Sequence, residues 1–145
     1  MKNHLKNYTQ AGLRIYGSRG HIEVRDCIIR FAKWIRKEKT FPVRLNVYLS
    51  PCPILTAQDG DQCVGLIRIP NNPVSFPYIR LATGDYKQRK SELGRDNALA
   101  GDLCTFCHEM IHYWQWIETD RMWENGVYRK AQYIVDQYAQ TTEHP

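Results

Sequence analysis

The chain predicts a small α+β domain, and three patterns carry that expectation. Val24, Ile28, Phe31 and Ile35 recur at helical spacing between Glu23 and Lys37. The run Val43-Arg44-Leu45-Asn46-Val47-Tyr48-Leu49 alternates apolar and polar with period two, as a half-buried strand does. Leu99, Leu103, Phe106, Met110, Trp114 and Ile117 then repeat at alternating four- and three-residue steps, one continuous apolar stripe on a long helix.

Taken in order, the first twenty residues lack clear periodicity, carry Gly12, Gly17 and Gly20, and are expected to be mostly irregular. The first helix follows, with Arg25, Arg30, Lys33, Arg36 and Lys37 on faces other than its apolar one. After the strand over 43–49, Pro51, Pro53 and Asp59-Gly60 mark a turn-rich excursion. Cys63 to Ile69 reads as a second strand, stopped at Pro70, and Tyr78 to Ala82 as a third, ending at Gly84. A polar stretch leads to Asp96, a good helix cap, and to the long helix. Beyond a break around Thr119–Gly126, a last helix places Ala131, Ile134, Val135 and Tyr138 on one face. The expected order is an N-terminal helix, a small three-stranded sheet, the long helix and a C-terminal helix.

At 145 residues, with 43% hydrophobic and 24% charged positions, the chain fits one domain over 1–145 with its core at about 23–140. A formal charge of +5 is a mild basic bias, compatible with an anionic partner but far from a nucleic-acid-binding arm. No run approaches the ~18 apolar residues of a membrane span, and MKNHLKNYTQ has no signal-peptide core, so the expected compartment is the cytoplasm. Five irregularly spaced cysteines read as free thiols there.

The chemistry-bearing segment is His108-Glu109-Met110-Ile111-His112. Histidines four apart on a helix project from one side, one turn apart, and with Thr105 they lie off the apolar stripe. Two such imidazoles suit one zinc ion. Glu109 lies about 100° further round, where its carboxylate reaches a water at the metal without becoming a ligand. It is placed to act as general base and then acid in hydrolysis of a carbonyl substrate. Cys104-Thr105-Phe106-Cys107-His108 also matches a c-type haem attachment pattern. It falls inside the apolar helix with no export signal, so packed core thiols are the better account.

The pentapeptide, the aromatics Tyr113, Trp114 and Trp116 after it, and the order of elements resemble the SprT-like metalloproteases and the minigluzincins. The resemblance implies a minimal zincin-like fold and a zinc-dependent metalloendopeptidase. It implies a protein or peptide substrate held in extended form against an edge strand, here one of 43–49, 64–69 or 78–82. SprT-like enzymes act on DNA-bound protein, so DNA or a DNA-bound protein on the basic first helix is an implied partner.

Catalytic zinc sites of this kind have three protein ligands. The SprT-like later histidine is missing between His112 and His144. Where gluzincins open the next helix with Glu-x-x-Ala, this chain has Tyr128-Arg129-Lys130-Ala131. Glu124, twelve residues after His112 and one turn before Tyr128, is the nearest carboxylate able to substitute. Tyr128, Asp136 and Glu118 are the alternatives. Tyr128 also falls on the apolar face with Ala131 and Val135, where core packing would explain it. The rival function is a catalytically inactive zincin-fold binding module, holding nucleic acid or protein through the basic helix and Trp114, Trp116 and Trp123.

Overall fold

A computed structural model describes residues 2–72 and 74–141. A short 3-10 turn at Asn3–Leu5 precedes strand β1 (Leu13–Tyr16) and helix α1 (Ile22–Glu38). Strands β2 (Leu45–Ser50), β3 (Leu55–Thr56), β4 (Gln62–Cys63), β5 (Gly65–Arg68) and β6 (Tyr78–Ala82) follow. Helices α2 (Tyr86–Leu93), α3 (Arg95–Thr119) and α4 (Val127–Ala139) complete the α+β domain.

The main sheet runs β1-β2-β6-β5, four strands rather than the expected three, and β3 with β4 forms a separate two-stranded ribbon. The added strand is β1, parallel to β2 with Leu13 opposite Leu45 and Tyr16 opposite Tyr48. Its residues alternate in burial like any half-buried strand, but flanking glycines and a length of four residues leave little sequence signal. β6 is also parallel to β2, whereas β5 is antiparallel to β6 and forms the opposite rim. The run expected from Cys63 to Ile69 breaks at Val64, between β4 and β5.

Period two sorts the sheet into two faces. Leu13, Leu45, Val47, Leu49, Ile79 and Leu81 point inward and join one core with Val24, Ile28, Phe31 and Ile35 of α1. The other face carries Arg14, Tyr16, Tyr48, Arg80 and Arg68, all exposed.

α3 is the central element. Leu99, Leu103, Phe106, Met110 and Ile117 of the expected stripe are buried, and so are Cys107, Ile111, Tyr113 and Trp116 on other faces. The helix is therefore enclosed nearly all round, because α1, α2, α4 and the sheet all pack on it. Trp114 is only half-buried, its indole N–H donating to the Thr40 carbonyl at 3.1 Å. The Tyr113 hydroxyl ties α3 to the approach of β2 by donating to the Val43 carbonyl and accepting from the Val43 N–H.

The helix begins one residue before Asp96, with Gly94 at φ +85° in the cap position, so Asp96 lies in the first turn instead. It ends where Asp120 takes a left-handed φ of 59°. α4 closes over α3 through Ala131, Ile134, Val135 and Tyr138, the face read from the sequence. Helix α2 lies in the stretch read only as polar; only Tyr86 of it is buried, so it has no apolar periodicity to detect. The cysteines are free thiols. Among the described residues no helix is long and apolar enough to cross a membrane.

Candidate metal centre

His108 and His112 project from adjacent turns of α3 into a groove of about 1030 Å³, walled on the far side by β5 and the β4–β5 junction and closed at one end by the loop before α4. Their Nε2 atoms stand 3.3 Å apart. Glu124, on that loop, reaches both: one carboxylate oxygen lies 3.1 Å from His108 Nε2 and the other 2.9 Å from His112 Nε2. Among the described residues these three form the group of His, Cys, Asp or Glu whose ligand atoms converge, all within 4.8 Å.

The donor set fits zinc. Bonds of ~2.0–2.1 Å at tetrahedral angles put two coordinating nitrogens about 3.3–3.4 Å apart, and the imidazole nitrogens already have that separation. Two neutral imidazoles and one carboxylate are the ligands of a known class of catalytic zinc site, which keeps its fourth position open.

Gln115, a buried polar residue of α3 that no sequence pattern marks, strengthens the case. Its side-chain oxygen accepts from the Trp123 N–H at 3.1 Å, and its amide nitrogen donates to the Trp123 carbonyl at 3.1 Å. Those two bonds fix which end of the amide is oxygen. The same oxygen lies 2.9 Å from His112 Nδ1, so Nδ1 carries the proton and donates. The Nε2 lone pair of His112 is then aimed at His108 Nε2 and at a carboxylate oxygen. With His108 Nε2 and the Glu124 carboxylate beside it, that lone pair faces the point where a cation could be held. Burial also lowers the pKa of His108, although Glu124 opposes that shift, which favours the neutral imidazole a metal needs.

Glu109 is buried beside His112, 9% exposed, on the groove wall. Burial pushes its carboxyl up to about 7, with His112 opposing and Glu124 adding to the rise. Gly65 of β5 lies directly over this part of α3. A Cβ there would stand 2.6 Å from Thr105 Cγ2 and 3.6 Å from Glu109 Cγ, so only glycine lets the rim strand approach this closely.

The alternative third ligands lie elsewhere. Asp136 accepts from Gln132 Nε2 at 2.8 Å further along α4, and Glu118 faces Lys2 at 3.9 Å. Tyr128 is not a core residue as its helical face implied. It is 78% exposed, with its ring 4.6 Å from the His108 ring on the groove wall. Its face of α4 extends past the core, so Ala131 and Val135 are covered while Tyr128 overhangs the centre. Cys107 is buried as expected, whereas Cys104 is only half-buried and lines the groove.

The basic face of α1 is partly used by the fold. The Arg36 guanidinium donates to the Leu13 carbonyl at 2.8 and 3.2 Å, and Arg30 Nε is buried. Of the three tryptophans in the rival reading, Trp116 is buried edge-on against His4 and Tyr8, and Trp123 is 43% exposed. No family model, curated protein or solved structure matches the chain, so the functional reading rests on this geometry.

Proposed function

We propose that this chain is a zinc-dependent metalloendopeptidase of minimal zincin-like design, with His108, His112 and Glu124 as ligands and Glu109 as general base and acid. The observation that carries the reading is the convergence of both Nε2 atoms and the Glu124 carboxylate beside Glu109, on the wall of an open groove.

Bound zinc supplies a water of lowered pKa, toward ~7, and polarises the carbonyl under attack. The protein supplies positioning and proton transfer. Glu109 accepts the proton of the attacking water as its oxygen adds to the carbonyl carbon, then delivers a proton to the nitrogen as the C–N bond breaks. Gln115 holds His112 in the tautomer whose Nε2 is free. Tyr128, overhanging His108, offers a hydroxyl to the developing oxyanion.

Strand order favours β5 as the substrate-holding segment. β2 and β6 are internal in the sheet, so 43–49 and 78–82 have no free backbone edge. β5 is the rim, and its Gly65, Leu66 and Ile67 line the groove that holds the histidines. An extended peptide paired along β5 would pass over Glu109.

The test is Glu109→Gln in protein loaded with zinc. The variant keeps its metal and loses hydrolysis of an unfolded protein substrate such as casein. Hydrolysis equal to that of the native chain would remove Glu109 from the mechanism.

A further inference from the structure

The outward face of the main sheet carries a pattern that the metal centre does not use. Register places Arg14, Asn46, Tyr78 and Arg68 in one row across the four strands, and Tyr16, Tyr48, Arg80 and Leu66 in the next. Tyr16 and Tyr48 stack with ring centroids 5.1 Å apart, and Tyr48 meets Tyr78 edge-on at 6.0 Å. Arg44 extends the face at its rim, 5.1 Å above the Phe76 ring. Three tyrosines and four arginines are thus interleaved on one open surface.

The charge of this face is not compensated. Arg44 donates to Asn46 Oδ1, Gln10 Oε1 and the Tyr16 hydroxyl at 3.0, 3.2 and 2.7 Å, all neutral acceptors. Among the described residues none of Arg14, Arg44, Arg68 and Arg80 forms an ion pair with a carboxylate. Asp59 borders the depression of about 350 Å³ formed near Leu66, Arg68, Tyr78 and Arg80, and leaves the face positive.

A sheet needs neither feature for its own stability on an exposed face. Tyrosines alone would serve as cross-strand pairs, and none of these arginines lies opposite a carboxylate or a second arginine, so their charges add nothing to strand pairing. Uncompensated guanidinium groups and exposed aromatic rings together match a polyanion with planar bases: phosphates for the arginines, stacking surfaces for the rings. Duplex nucleic acid fits less well, because its bases are already stacked and offer no free ring faces to the tyrosines.

We propose that this face binds single-stranded nucleic acid. The strand would lie across all four strands, reaching Arg68 on the rim strand β5, whose other side faces the metal groove. The inference stands independently of the peptidase reading.

The test is fluorescence anisotropy of the full chain with a fluorescein-labelled oligothymidine of about twelve nucleotides, within the usual ~4–16 nucleotide site. The expected result at about 50 mM salt is saturable binding that weakens as salt rises, each phosphate contact adding about 0.7 to the log–log slope. Arg68→Gln/Arg80→Gln should raise Kd at least tenfold and reduce that slope by about 1.4. Tyr48→Leu should raise Kd at least threefold with the slope unchanged. Lys33→Gln/Lys37→Gln on α1, exposed and away from the sheet, should leave Kd unchanged. Circular dichroism confirms that each variant is folded. Absence of binding overturns the proposal, and so does binding that is insensitive to the sheet variants or abolished by the α1 pair. Equal competition by a duplex of the same length also overturns it.

Discussion

Replacing Gln115 by leucine separates a zinc site held by its surroundings from two histidines that merely share a helix face. The side chain is 6% exposed and makes three hydrogen bonds, to His112 Nδ1–H, the Trp123 N–H and the Trp123 carbonyl. At ~0.5–1.5 kcal/mol each, their net worth is about 1.5–4.5 kcal/mol. Trp123 is 43% exposed, so water can take over much of its backbone bonding, while the donor of His112, 5% exposed, stays unpaired. The expected loss of unfolding free energy is therefore about 2–3 kcal/mol. Removing a partner that orients a metal-bound histidine costs about 10–100-fold in metal affinity. Gln115→Glu keeps both acceptor contacts, including the one to His112 Nδ1–H, but sets a carboxylate oxygen against the Trp123 carbonyl; it should lower stability while binding zinc within about threefold of the native chain or tighter. Zinc affinity by chelator competition and stability by urea unfolding measure both quantities. The reasoning fails if the leucine variant binds zinc within about twofold of the native protein, or if leucine and glutamate variants bind zinc alike.

Glu124→Ala should lower zinc affinity by roughly a hundredfold or more, since it removes one of three ligands. Its carboxylate is 70% exposed, so unfolding of the zinc-free protein should change by no more than about 0.5 kcal/mol. Gly65→Ala should destabilise by about 1–3 kcal/mol, because the new Cβ meets Thr105 Cγ2 at 2.6 Å. Adding Thr105→Ser removes that methyl and should recover most of the loss in thermal unfolding; a neutral Gly65→Ala would contradict the close approach of β5. Asp102 is buried with one oxygen unpartnered, and burial raises its carboxyl to about 6 although Arg89 holds the other oxygen at 2.7 Å. The folded state then binds this proton more tightly than the unfolded chain does. Stability from this group is present below pH ~4 and falls by up to about 3 kcal/mol as pH rises to about 6. Asp102→Asn should flatten that part of the pH–stability curve, and parallel curves would refute the assignment.

The sequence was most legible where one residue type could serve only one purpose. The α4 face is a set of repeated apolar positions that burial follows closely, and the α3 stripe is buried apart from Trp114, on a helix whose other faces are covered too. His108 and His112 are readable because helical geometry alone brings residues four apart together. Glu124 stands out in the sequence as the nearest carboxylate after His112 able to substitute, and in the structure its carboxylate lies beside both imidazoles.

What escaped sequence reading depends on partners far apart in the chain. β1 is defined by pairing with β2, some thirty residues later, and α2 rests on α3 with almost no apolar face of its own. Gln115 matters only because the chain turns back after Asp120 and brings the Trp123 backbone to its amide. Tyr128 shares a helical face with core residues yet lies beyond the edge of what that face covers, a boundary that periodicity does not carry.

Metal content by elemental analysis tests the central claim most directly, on the native chain, His112→Ala and Glu124→Ala, each saturated with zinc and then desalted. The account requires about one zinc per native chain and substantially less in both variants. A native chain that retains no zinc, or a Glu124→Ala variant that retains as much as the native chain, would contradict it.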